Sequence, residues 1–213
     1  MAMLSTTHAY KRLFFLKKSR LYKQSKKDFY TGKNLLTSSS SFGQIFKNHR
    51  LESQQANKSI KFYGLEFGSS TKTCRKRLGK PNYIERESSV MGGLKAYFYR
   101  LRMKGIRCIL QIHFYQDQFF FGQMEIREGN TALKNDINKL LCEKYGIETG
   151  VWHGTIADKD NNQLIIKEDT VPNITYVTGD QVLLQDIRQS LIKKLKTKDV
   201  TFNQRLEWLI DAI

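Results

Sequence analysis

The stretch 106–114, IRCILQIHF, places Ile106, Cys108, Leu110, Ile112 and Phe114 on one side of an extended chain and Arg107, Gln111 and His113 on the other. That period of two predicts a β-strand with one buried face. Lys104-Gly105 precedes the strand and Gln116-Asp117 follows it, where two-residue hairpin turns belong. The neighbouring stretches agree. KAYFYRLRM (95–103) alternates Tyr97, Tyr99, Leu101 and Met103, and FFFGQMEIR (119–127) makes a third strand. The aromatic run FYQDQFFF within this region reads as core rings, with an exposed stacking platform as the alternative.

Helical patterns flank the meander. Ser69 or Ser70 caps a short helix whose apolar stripe is Cys74 and Leu78, and Gly79 and Pro81 end it. Asn130 or Thr131 starts a second helix, with Leu133, Ile137, Leu140, Leu141 and Tyr145 on its stripe. A strand pair at 150–157 and 163–167, joined by DKDNN, and a strand at 173–178 follow, with Asp180 capping a further helix. The chain closes on TFNQRLEWLIDAI, where Leu206 and Leu209 recur at helical spacing beside Trp208; they offer a partner-docking surface, with packing on the chain's own sheet as the alternative. These elements predict an α+β fold: an antiparallel meander sheet with helices packed on one face, plus a basic N-terminal arm. The expected division is an arm at 1–58 and a domain at 59–213. The domain divides further into 59–146 and 147–213, the latter a second sheet or a continuation of the first.

Charge separates the arm from the rest. Residues 1–62 hold 13 Lys and Arg against Asp28 and Glu52, while the remainder holds 23 against 18. Lys11, Arg12, Lys17, Lys18, Arg20, Lys23, Lys26 and Lys27 fall within 17 residues, with Tyr22 and other aromatics among them. Cations neutralise phosphates and release counterions, and rings stack on unpaired bases. Nucleic acid, an acidic protein surface, an anionic membrane and a plain solvated tail all fit that composition. Lysine outnumbers arginine in the arm, which favours loose electrostatic contact over bidentate base recognition. The Ser run 38–41 is expected to interrupt any continuous helix in the arm.

The chemistry-bearing residues are sparse. A phosphate-binding P-loop requires its glycines before the helix; here Gly79 ends it and Pro81 follows. Cys74, Cys108 and Cys142 lie in apolar or helical patterns and read as buried thiols of a reducing compartment. His8, His49, His113 and His153 stand at no ligand spacing, and no carboxylate is placed beside His113 or His153. No catalytic residue, metal or other cofactor is expected. Neither a membrane-spanning run nor a signal-peptide core is found, so the chain reads as cytoplasmic.

FGSSTKTCRKRLGKP, then AYFYR, then LQIHFYQDQFF resembles the small outer-membrane assembly lipoproteins called SmpA/OmlA or BamE. The residues carrying the resemblance are Gly68, Ser70, Leu78, Gly79, Pro81, Tyr97, Tyr99, Leu110, Ile112, Phe114 and Asp117. It spans about 62–126 and implies a small α+β module that binds other proteins and catalyses nothing. The family's lipid-modified cysteine and signal peptide have no counterpart here, so its envelope location does not carry over. The expected function is a non-enzymatic binding or assembly protein: its body docks a protein partner and its arm contacts nucleic acid or another polyanion. A structural subunit of a large particle, its arm threading between neighbours, and a small nucleic-acid-acting enzyme or effector are the alternatives.

Overall fold

The computed structural model describes residues 25–48, 53–86, 90–127, 131–147, 154–167 and 173–197. In chain order these form α1 (Lys26–Thr31), α2 (Ser39–Asn48), β1 (Gln54–Gln55), α3 (Thr71–Leu78), β2 (Tyr83–Glu85), β3 (Leu94–Met103), β4 (Ile106–Tyr115), β5 (Gln118–Ile126), α4 (Thr131–Tyr145), β6 (Thr155–Ala157), β7 (Gln163–Lys167), β8 (Asn173–Val177) and α5 (Gln181–Thr197). The chain divides into two compact units after Lys33. In the first, α1 is a six-residue helix whose start is capped: the Asp28 N–H donates to Ser25 Oγ at 3.0 Å.

The second unit is built on one eight-stranded sheet, in the order β1-β6-β7-β8-β5-β4-β3-β2. Every neighbouring pair is antiparallel except β1 with β6. The expected meander is its centre, and β8 pairs with β5, so the second half of the chain continues the first sheet. Both meander turns are two residues long with positive φ throughout, at Lys104 and Gly105 and at Gln116 and Asp117. That is the backbone of type I′ turns, whose twist matches the strands they join.

Helices cover both faces, which corrects the expectation of one. On the first face Tyr97, Tyr99, Leu110, Ile112, Phe114, Ile166, Ile174 and Tyr176 pack with Cys74 of α3 and Leu141, Cys142 and Tyr145 of α4. On the second, Leu94, Tyr115, Phe121, Ile165 and Val177 pack with Phe42, Ile45 and Phe46 of α2 and Leu183, Leu184, Ile187 and Leu191 of α5. A bulge between His113 and Phe114 lets the FFF run serve both: Phe119 joins the first core, Phe120 and Phe121 the second. The aromatic run is therefore core, not platform. Gln111 and His113 are buried too, at 1% and 0% exposure, although their polarity suggested a solvent face.

The Ser run does not interrupt a helix; Ser39 begins α2. Serine favours helix starts because its hydroxyl bonds nearby backbone, as the Ser41 N–H does with Ser38 Oγ. Leu36, Phe42, Ile45 and Phe46 thus lie in the core of the second unit, which begins at Asn34 and not at the expected boundary of 58.

One carboxylate knots the far end of the sheet. Asp158, buried in the β6–β7 turn, accepts from the Asp160 and Asn162 N–H groups through Oδ1, each at 2.9 Å. Its Oδ2 accepts from the Ile60 N–H at 2.7 Å and from Asn162 Nδ2 at 3.1 Å. Asn162 Oδ1 then accepts from the Gly179 N–H, just before the Asp180 carboxylate that caps α5 at Val182 and Leu183. Asp158→Ala strands these donors and is expected to cost about 3 kcal/mol in urea denaturation. Asp158→Asn is expected to rescue little, because an amide cannot accept at both positions.

His113 is the opposite case. Neither ring nitrogen has a hydrogen-bond partner among the described residues, and the ring stands edge-on to Phe121. Burial lowers its pKa from 6.5 to about 3, so it is neutral when folded. Between those values the unfolded chain binds the extra proton, and stability falls as pH drops from 6.5 toward 3, by on the order of 4 kcal/mol at pH 3. His113→Phe is expected to raise stability at pH 7 by about 1 kcal/mol. It should also flatten the acid limb of urea midpoint against pH; an unchanged limb would contradict this assignment.

Candidate polyanion-binding surface

The two-residue turn at 104–105 makes its flanking residues direct partners. Met103 faces Ile106 and Arg102 faces Arg107. The Arg127 N–H donates to the Arg107 carbonyl at 2.9 Å, which adds a third arginine to the same rung. Alternation puts Arg100 on this face one rung inward and leaves Lys104 at the tip. All five cations are exposed. This is the second face of the sheet, but α2 and α5 pack around its other end, near Leu94, Tyr115 and Phe120. Glu125, opposite Ile109 on the rung that also holds Arg100, partly balances the row.

Like charges directly across a strand pair destabilise it. Each adjacent pair of exposed like charges costs roughly 0.2 to 1 kcal/mol. An incoming polyanion would relieve that repulsion.

A second group of cations lies on α3, on the first face of the sheet. In α3, Cys74 and Leu78 turn inward and leave Lys72, Arg75, Lys76 and Arg77 exposed. The helix starts at Ser70, whose Oγ accepts from the Thr73 N–H at 3.2 Å, while Asp117 accepts from the Thr71 hydroxyl at 2.6 Å. It ends at Gly79, whose N–H donates to the Arg75 carbonyl. Three residues on, Asn82 lies along β3: its N–H donates to the Phe98 carbonyl and its Oδ1 accepts from the Arg100 N–H at 2.6 Å. That strap carries the charged end of α3, with Lys80, to the edge that bears Arg100 and Arg102. The Arg75 guanidinium stands 5.3 Å from the centre of the Tyr97 ring.

The residues of the family resemblance meet around this helix. Tyr99 donates from its hydroxyl to the Gly79 carbonyl at 3.3 Å and lies 3.6 Å from Cys74 Sγ, and Tyr97, Leu110, Ile112 and Phe114 share the core beneath. Burial pushes the Cys74 thiol up, which keeps it protonated and unreactive. Of the arm cations, Lys26 and Lys27 are described, exposed in the first turn of α1. Lys11, Arg12, Lys17, Lys18, Arg20, Tyr22 and Lys23 lie outside the described residues, as do His153 and the docking residues Leu206, Trp208 and Leu209. No three His, Cys, Asp or Glu side chains among the described residues are grouped to hold a metal ion, and none of the described helices is long and apolar enough to cross a membrane.

No family model matches the chain, and neither does any curated protein or solved structure.

The arginine rung was missed in the sequence, although its signal is there: a two-residue turn at 104–105 obliges 102 and 107 to pair. Arg102→Thr removes the like-charge contact and supplies a strand former. It is expected to raise the urea midpoint by an amount equivalent to about 0.5 kcal/mol, with the gain shrinking as salt screens the wild-type repulsion.

Proposed function

We propose that the chain is a non-enzymatic binding protein for a polyanion, nucleic acid, held by the arginine row of the body together with the basic N-terminal segment. The observation that carries this reading is the in-register trio Arg102, Arg107 and Arg127, three cations set side by side on one exposed rung. Arginine presents a planar fork that matches phosphate oxygens, so the row supplies oriented contacts where the lysine-rich arm supplies loose ones. A body that also docks a protein partner fits the same reading, as in the assembly proteins that 62–126 resembles.

The test is fluorescence anisotropy of short single- and double-stranded DNA and RNA across a salt series. The full chain is compared with Arg102→Ser/Lys104→Asn/Arg107→Ser and with a variant carrying Gln at Lys17, Lys18, Lys26 and Lys27. Binding that weakens with salt is expected. The triple variant should lower the slope of log affinity against log salt by about 2 to 3, one unit for each phosphate that is no longer neutralised. Absence of binding at low salt, or an unchanged slope in both variants, would reject the reading.

A further inference from the structure

On the first face of the sheet a cleft of about 630 Å³ opens between the 63–69 loop and α3. That volume suits a small phosphorylated ligand. We infer that the cleft holds a phosphate group, gripped by the fork of Arg77. The inference deepens the nucleic-acid reading if the phosphate belongs to a strand, and stands apart from it if the phosphate belongs to a free phosphomonoester.

The loop is shaped to fix this arginine. Phe62 and Leu65 exchange backbone hydrogen bonds at 2.9 and 2.8 Å, closing a tight turn over Tyr63 and Gly64, both with positive φ. The turn presents the Tyr63 carbonyl to α3, where it accepts from Arg77 Nε at 2.7 Å. A Cβ at Gly64 would overlap the guanidinium, so only glycine lets the side chain lie across the turn. At the back of the turn the Tyr63 hydroxyl donates to Met103 Sδ, bracing it on β3. An arginine held this way has already lost much of the rotamer freedom that binding would otherwise remove.

The contacts leave a donor set open. Arg77 bonds through Nε, and its two Nη groups make no hydrogen bond among the described residues. They form a fork suited to two phosphate oxygens. Lys76 and Ser69 line the same cleft, as does Thr73, whose hydroxyl shares a hydrogen bond with Ser70 Oγ at 3.1 Å. Its one carboxylate, Glu66, is engaged by Lys61 at 2.6 Å, and that contact holds it below the usual carboxylate range. Donors thus outnumber free acceptors, the balance a phosphate requires and an amine or a metal ion would not use.

The experiment uses isothermal titration of the full chain with inorganic phosphate, AMP, adenosine and an oligonucleotide with 5′- and 3′-hydroxyl ends. Wild type is compared with Arg77→Gln, Arg77→Lys and the charge-matched control Lys159→Gln, on the exposed β6–β7 turn. A free phosphomonoester site predicts AMP binding without adenosine binding, weakened roughly tenfold or more by Arg77→Gln and only partly restored by Arg77→Lys. A backbone-phosphate site predicts the same losses for the oligonucleotide, with AMP weak. Equal affinities in wild type and Arg77→Gln for every phosphate ligand would overturn the inference while leaving the arginine row intact. Binding of AMP with no binding of the oligonucleotide would overturn the row and leave the cleft. If Arg77→Gln does not fold, the Arg77 Nε–H resonance of the wild-type protein decides: a shift with phosphate and none with chloride supports the site, and no shift with phosphate rejects it.

Discussion

The pairing of β3 with β4 through a two-residue turn is the constraint from which the rest of the second unit follows. Ten residues on each strand are paired without a slip, from Leu94 with Tyr115 to Met103 with Ile106. With side chains alternating, that register decides which residues meet each helical layer. It places Tyr97 and Tyr99 beneath α3, where Tyr99 reaches both Cys74 and the end of the helix. It also decides that Arg102 and Arg107 stand together. A slip by one residue would exchange the two faces of β3, put arginines against α3 and leave Tyr97 and Tyr99 without their core. The cost of burying those charges far exceeds the modest repulsion of the arginine rung, so the register holds and the rung is carried with it.

Much of this was legible in the sequence because it is local. Period-two patterning located β3 and β4, apolar runs located β5 and β7, and Asp180 and one of Ser69 or Ser70 marked helix starts, which hydrogen bonds to Asp180 and Ser70 bear out. What escaped was set by distant contacts. Gln111 and His113 look like residues of a wet face, yet Gln111 bonds the Leu35 N–H and Gln123, and the cover comes from segments 76 and 12 residues away. β1 and β2 span two and three residues, too few for any period to show, and they exist because a neighbouring strand pairs with them. Residues 60–68 form a tight turn, since Tyr63 and Gly64 take positive φ and Phe62 bonds Leu65 directly, and no period in the sequence marks it.

The candidate site divides along the same line. Clustered charge in the first 30 residues is visible to anyone who counts it, and it identifies a kind of partner without any geometry. The arginine rung and the Arg77 fork require a partner strand and a turn from elsewhere in the chain, so composition alone leaves them scattered over 77, 102, 107 and 127.

These two kinds of cation differ in how they bind. A lysine-rich segment gives affinity through counterion release, which is insensitive to where each phosphate sits. Arginines fixed by a sheet register, or by a carbonyl as Arg77 is by Tyr63, present donors whose spacing the ligand must meet. A protein with only the first kind would hold any polyanion, at any angle. The second kind adds orientation. The row stands on the second face of the sheet and the cleft beside α3 on the first, so each would set the angle of its own phosphate independently of the other.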